Sequence, residues 1–160
     1  MSKAIIFRDT VIRPVLVKLG LGGQAAEELL LGTAVQESLN FQYRTQVGGG
    51  PAKGYFQMEP STHDDIWENY LKYRQKLSQD VNSFLPSKNP NKIMELENND
   101  KYAAAMARIH YMRVAAPLPK AGDVIAQANY WKQYYNTSLG KGKPHEYVEK
   151  WKKYVLGVTP

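Results

Sequence analysis

Cysteine is absent from the 160 residues. Disulfide scaffolds, thiolate zinc sites and thiol nucleophiles are therefore excluded. Long apolar runs are missing as well: no stretch approaches the ~18 apolar residues of a membrane span. A signal peptide needs a short basic start, an uninterrupted apolar core and small residues before a cleavage site. Residues 1–23 are instead broken by Arg8, Asp9, Arg13 and Lys18. The expectation is no membrane span and no leader, so that work beyond the cytoplasm would need another delivery route. Several catalytic signatures are also lacking. His63, His110 and His145 form no H-E-x-x-H pattern and read as caps or surface residues. No G-x-S-x-G elbow is present. Lys53 precedes Gly54 with no Ser or Thr after it, so the glycine-rich stretch fails the phosphate-loop pattern.

What is present is ordinary globular material. Apolar residues make up 43% and charged residues 22%, which suits one folded domain over residues 1–160 rather than a disordered chain. Basic residues outnumber acidic ones, 21 to 15. The excess fits an anionic partner, and residues 120–153 carry much of it as lysine. A helical nucleic-acid binder is one reading of this charge together with the many aromatics. No recognisable binding motif supports it, so no specific nucleic-acid partner is expected.

The dominant period is helical. Val11, Val15, Leu16 and Leu19 recur at helical spacing up to Gly20. A second helix covers residues 25–39, interrupted by Gly32, which costs ~1 kcal/mol against Ala and so implies close packing there. Gly48-Gly49-Gly50-Pro51, Gly54 and Pro60 mark about twenty irregular residues, and long loops in compact domains are usually functional or disordered. Ser61 and Thr62 read as N-caps, with Asp64 and Asp65 in the first turn. The apolar stripe from Ile66 to Phe84 then predicts one long helix with Arg74 at its rim, ended by Pro86-Ser87-Lys88-Asn89-Pro90. Shorter helices follow over residues 92–97, after Asn98-Asn99-Asp100 with Ala103, Ala104, Ala107 and Ile109 inward, and over 122–135 with Val124, Ile125, Ala128, Trp131 and Tyr135 inward. Pro144 opens the last, buried through Val148, Trp151 and Val155. The expected fold is mainly α, six or seven helices around one core, with at most a small β-hairpin near residues 42–58. Strands do not alternate with helices, which disfavours a Rossmann or barrel plan.

With no thiol, carboxylates are the leading reactive groups. Glu37 lies at the end of a mainly apolar helix, just before the irregular loop. A carboxyl half-buried there has its pKa raised by desolvation, as a general acid requires. Taken alone, Glu37-Ser38 reads more simply as a helix end in solvent. The context adds Gly54-Tyr55-Phe56-Gln57-Met58 some twenty residues on, then Tyr134-Tyr135-Asn136-Thr137 before Gly140-Lys141-Gly142. Glu-Ser at a helix end, Gly-x-x-Gln after it and Tyr-Asn before glycines resembles the soluble lytic transglycosylase and goose-type lysozyme family. The run Gly49-Gly50-Pro51-Ala52-Lys53-Gly54-Tyr55-Phe56-Gln57-Met58-Glu59-Pro60 is similar to its bacteriophage branch, as are Ala107-Arg108-Ile109-His110-Tyr111 and Tyr130-Trp131-Lys132-Gln133. The resemblance spans roughly residues 29–155. Leu39 stands where the family usually has Gly, and Thr137-Ser138 where it has Ala-Gly.

The resemblance implies a lysozyme-like domain that cleaves the β-1,4 bond between N-acetylmuramic acid and N-acetylglucosamine in bacterial peptidoglycan, without metal or cofactor. Glu37 would be the acid, then the base that accepts the muramoyl C6 hydroxyl proton as a 1,6-anhydro ring closes. Ser38 would help hold it. Gln57 would line the sugar groove with Tyr55, Phe56, Met58 and Glu59 beside it, and Tyr135 and Asn136 would face the glutamate. A hydrolytic lysozyme would instead need a positioned water, usually held by a second carboxylate, for which Glu59, Asp64 and Asp65 are the candidates. Asp64 and Asp65 equally serve a helix start. Trp67, Trp131 and Trp151 lie on helical stripes and read first as core. The partners implied are glycan strands, with room for other virion proteins. The site of action implied is the cell wall, reached from a virion or at lysis, and a non-catalytic virion protein keeping the fold is the alternative.

Overall fold

The computed structural model describes residues 2–86, 90–136 and 140–158. The breaker residues 87–89 and the pair Thr137-Ser138 lie outside them. Among the described residues the chain is mainly helical, with α1 (Lys3–Phe7), α2 (Arg13–Leu19), α3 (Gln24–Ser38), α4 (Pro60–Asn69), α5 (Gln75–Asn82), α6 (Lys92–Asn98), α7 (Asp100–Met112), α8 (Val124–Trp131) and α9 (Pro144–Lys150). Extended pairing among the described residues is confined to two isolated bridges, Thr45 with Lys53 and Lys53 with Met58, inside the stretch where a small hairpin is expected. No described helix is long and apolar enough to cross a membrane.

The helices begin and end for local reasons. The Ser2 side chain accepts the Ile5 amide at 3.2 Å and starts α1, well before the stripe that the sequence shows from Val11. A π turn over Arg8–Ile12 runs straight into α2, whose Pro14 brings no N–H. Asn91, Asn99 and Asp123 cap α6, α7 and α8 through their side chains. Pro144 occupies the first turn of α9, as the sequence predicts.

α3 and α7 are the central rods. From Ala26 to Ser38 and from Tyr102 to Tyr111, nearly every residue is buried. Ala103, Ala104, Ala107 and Ile109 point inward as expected, but the opposite face of α7 is covered too, by packing against α2, α4, α5 and α6. Gly32 explains itself: a Cβ there would strike the ring and hydroxyl of Tyr147 on α9. The glycine is the notch that lets α9 seat on α3.

One element departs from the periodicity. The single helix expected over Ser61 to Phe84 is two helices, with a 3₁₀ turn at Leu71–Tyr73 and Arg74 extended at φ −129° and ψ 82°. That break brings the helical rods among the described residues to eight, since α1 and α2 are continuous. Arg74 is the hinge rather than a rim residue. Its guanidinium stacks 3.6 Å from the Tyr70 ring and donates to the Tyr70 carbonyl, while the Ser78 hydroxyl donates to the Leu71 carbonyl. Turning there buries Leu71 completely and lays α5 on α2 and α7. The start of α4 also shifts. Glu59 is the cap position and Pro60 the first residue, so Ser61 and Thr62 lie inside the first turn and Asp64 and Asp65 beyond it. Ile125, expected inward, is 65% exposed because the inward stripe of α8 is Gln127, Ala128, Tyr130 and Trp131.

Candidate active site

Glu37 is the penultimate residue of α3. The chain then leaves the helix through three successive left-handed residues, Leu39, Asn40 and Phe41, at φ 51°, 57° and 64°. Each non-glycine residue in this region is strained. Ser38 holds the turn: its hydroxyl donates to the Ala34 carbonyl and accepts the Phe41 amide, both at 2.6 Å. Phe41 is pinned among Phe7 at 4.7 Å and Tyr55 at 5.2 Å. Ser38 is fully buried, so it fixes the backbone beside Glu37 and does not face a ligand.

The Glu37 carboxyl opens on a cleft of about 630 Å³. Trp131 donates its indole N–H to Oε1 at 3.2 Å, the Asn136 carboxamide beside it also favours the charged form, and Lys132 and Lys150 add positive charge. Burial outweighs them and pushes the carboxyl up from its ordinary value to about 7. Removing the charged form from water costs more here than two donors and two cations return. Near neutral pH the group therefore exists both with and without its proton.

Gln57, Met58, Glu59, Tyr135 and Asn136 line the same cleft. The local backbone explains why these face it. Gly54, at φ 77°, lies so close to the Leu96 carbonyl that a side chain would collide. Gln57 is itself left-handed at φ 47°. Between them Phe56 turns into the core, 1% exposed, and Tyr55 packs between Phe7, Phe41 and the Arg44 guanidinium. The sequence expectation that Tyr55 and Phe56 line the groove is corrected accordingly: their rings brace the loop from behind. Phe56 contributes only its carbonyl, which accepts the Tyr135 hydroxyl at 2.6 Å. Gln57 spends its carboxamide N–H on the Gly54 carbonyl at 2.9 Å. A π turn over Lys132–Asn136 carries Tyr135 and Asn136. Lys132 reaches the Asn136 side-chain oxygen at 2.7 Å and the Gly140 carbonyl at 2.9 Å.

Of the three candidate second carboxylates, Glu59 alone lines the cleft. Asp64 is exposed and accepts from His63 at 3.0 Å. Asp65 pairs with Arg113 at 2.7 Å and with Asn69 at 2.6 Å. Both are spent on structure.

Trp131, His110 and Gln36 are among the cleft residues that escape the sequence reading. Trp131 reads as core, and it is fully buried; periodicity gives the side of a helix and not which edge of a ring meets a carboxyl. His110 reads as a cap or surface residue, yet it stands in the cleft wall, 5.1 Å from the Tyr135 ring. Burial first, and the Arg113 charge second, lower it to about 4, so it is neutral at neutral pH. Gln36 is 9% exposed and lines the cleft beside Glu37; only its position next to the glutamate could have suggested it. His63 also departs from the surface reading: it is buried against the Tyr102 hydroxyl at 2.6 Å.

A larger hollow of about 920 Å³ lies beyond α4, at Trp67, Glu68 and Lys92. Its buried polar groups are already paired, His63 Nε2 and Trp67 Nε1 both meeting the Tyr102 hydroxyl. A carboxyl poised to exchange a proton is found in the smaller cleft. No described trio of His, Asp or Glu is arranged to hold a metal ion. No protein-family profile, curated protein or solved structure matches this chain.

Proposed function

We propose that the protein is a peptidoglycan-cleaving lytic transglycosylase of phage type, with Glu37 as its single acid and base. The observation that carries the reading is a half-buried glutamic acid, its carboxyl held near pH 7 by desolvation, sharing a cleft with Gln57, Tyr135 and Asn136. Glu37 in its protonated form donates to the glycosidic oxygen. The C1–O bond breaks, the leaving sugar departs with that proton, and positive charge develops at C1. The muramoyl C6 oxygen then attacks C1, and its proton returns to the Glu37 carboxylate. The acid is regenerated and the product ends in a 1,6-anhydro ring, with no water consumed. Trp131 and Asn136 lower the cost of the carboxylate during the interval in which it is charged. The neutral phenol of Tyr135, whose ionisation burial and the Glu37 charge both oppose, adds no competing charge.

Hydrolysis is the second reading, favoured by Glu59 lining the same cleft. Mass spectrometry of glycan fragments released from purified cell walls tests both. Anhydro ends and loss of all release in Glu37→Gln are expected. Reducing ends, with release abolished in Glu59→Gln, would replace the transglycosylase by a lysozyme. Release that is equal in wild type and Glu37→Gln would remove the enzymatic reading and leave a non-catalytic virion protein. Action on the wall fits delivery by a virion or at lysis, with other virion proteins as companions.

A further inference from the structure

Gln36 has no explanation in the fold. It is buried to nine-tenths, it lines the cleft beside Glu37, and its carbonyl Oε1 accepts no hydrogen bond among the described residues. A buried acceptor without a donor is unfavourable, and most buried polar side chains avoid that state. A hydrophobic residue of the same length would satisfy this position if packing were its only purpose. We infer that Gln36 is a specificity-determining residue that accepts the N–H of a 2-acetamido group on the sugar flanking the scissile bond. The inference rests on the proposed glycan-cleaving function and names the substrate feature read at that site.

The chemistry favours an amide N–H over a hydroxyl. A sugar hydroxyl can rotate and donate elsewhere, or accept. An amide N–H has one direction and must find an acceptor once it is buried, so a site built to pair it discriminates strongly against its absence. The acetamido group sits on C2, next to the anomeric carbon whose bond breaks, and Gln36 is next to the residue that supplies the proton. Its methyl needs an apolar wall, and Ala52 and Met58, both buried, line the same cleft. His110 completes that wall as a neutral ring, its Nδ1 accepting from Arg113 at 3.4 Å, so no charge competes for the amide.

The test is Gln36→Met, which keeps the length and removes the acceptor. Binding of a soluble oligomer of N-acetylglucosamine is measured calorimetrically, in parallel with the β-1,4-glucose oligomer of equal length, which carries a hydroxyl at C2, together with the thermal midpoint. Gln36→Met is expected to bind the acetylated oligomer about tenfold more weakly, to bind the glucose oligomer within about threefold of wild type, and to melt at or above the wild-type temperature. Equal weakening toward both oligomers, unchanged binding of the acetylated one, or a midpoint that falls with affinity would overturn the assignment. Wild type that binds neither oligomer overturns it also. Because binding is read without turnover, wild type that binds the acetylated oligomer through Gln36 yet cleaves no wall would refute the proposed enzyme and leave the recognition role standing.

Discussion

The indole N–H of Trp131 meets the Glu37 carboxyl at 3.2 Å across the joint between α3 and α8. A donor to a carboxylate favours its charged form, whereas burial opposes it. Burial wins here and the carboxyl rests at about 7. Wall-clearing activity should therefore fall about tenfold per pH unit above that value, since only the protonated acid can begin the reaction. Trp131→Phe removes the donor and should move this alkaline limb upward, with a stability loss of about 1–2 kcal/mol from the lost ring volume. A pH–rate profile of both proteins decides it, and an unmoved limb would separate Trp131 from the acid's tuning.

The same raised carboxyl makes stability depend on pH. A group whose folded pKa exceeds its unfolded one costs the fold nothing below the unfolded value. Its penalty grows as pH rises through the folded value. Glu37→Gln should thus be about as stable as wild type at pH 4 and more stable by roughly 3 kcal/mol, as an upper figure, at pH 8 or above. Urea titrations at the two pH values measure the difference, and a gap that does not widen with pH would contradict the burial argument.

Leu39 occupies a left-handed position, at φ 51°, and is 39% exposed. The strain of a branched side chain there exceeds what its modest contacts return. Leu39→Gly should stabilise the protein by about 1 kcal/mol, with catalysis little changed. Ser38→Ala should act oppositely, losing about 1–3 kcal/mol as the Phe41 amide loses its acceptor. Thermal denaturation of the two variants tests the pair, and equal signs would show that the turn is not held as described.

Gly32 and Tyr147 should be energetically coupled. Gly32→Ala drives a methyl into the Tyr147 ring and should cost about 1–3 kcal/mol. In a Tyr147→Leu background the added penalty should shrink by at least about 1 kcal/mol. An additive double-mutant cycle would mean that α9 does not seat in the notch.

Parts of this architecture were legible as letters. Gly32 in a row of strong helix formers signals close approach, Asn99 and Pro144 signal helix starts, and Glu37 before a glycine-rich loop signals a carboxyl at a helix end. The break at Arg74 was not legible. Tyr70, Leu77 and Val81 remain near helical phase across it, and no glycine or proline announces it; the cause is tertiary, the burial of Leu71 and the docking of α5. Tyr55 and Phe56 were misplaced because a loop has no period to say which side faces in. Two left-handed residues, Gly54 and Gln57, decide that instead. The arrangement of the cleft residues follows from contacts between segments far apart in the chain, which no local pattern encodes.

The π turn at Lys132–Asn136 has a geometric outcome for the donors themselves. On a regular helical wheel, positions five apart point about 140° away from each other, so Trp131 and Asn136 could not grip one carboxyl. Widening the coil swings the later residue back beneath the earlier, and a single helix closes on the acid like the two jaws of a pincer. The defect in the winding is what makes the grip.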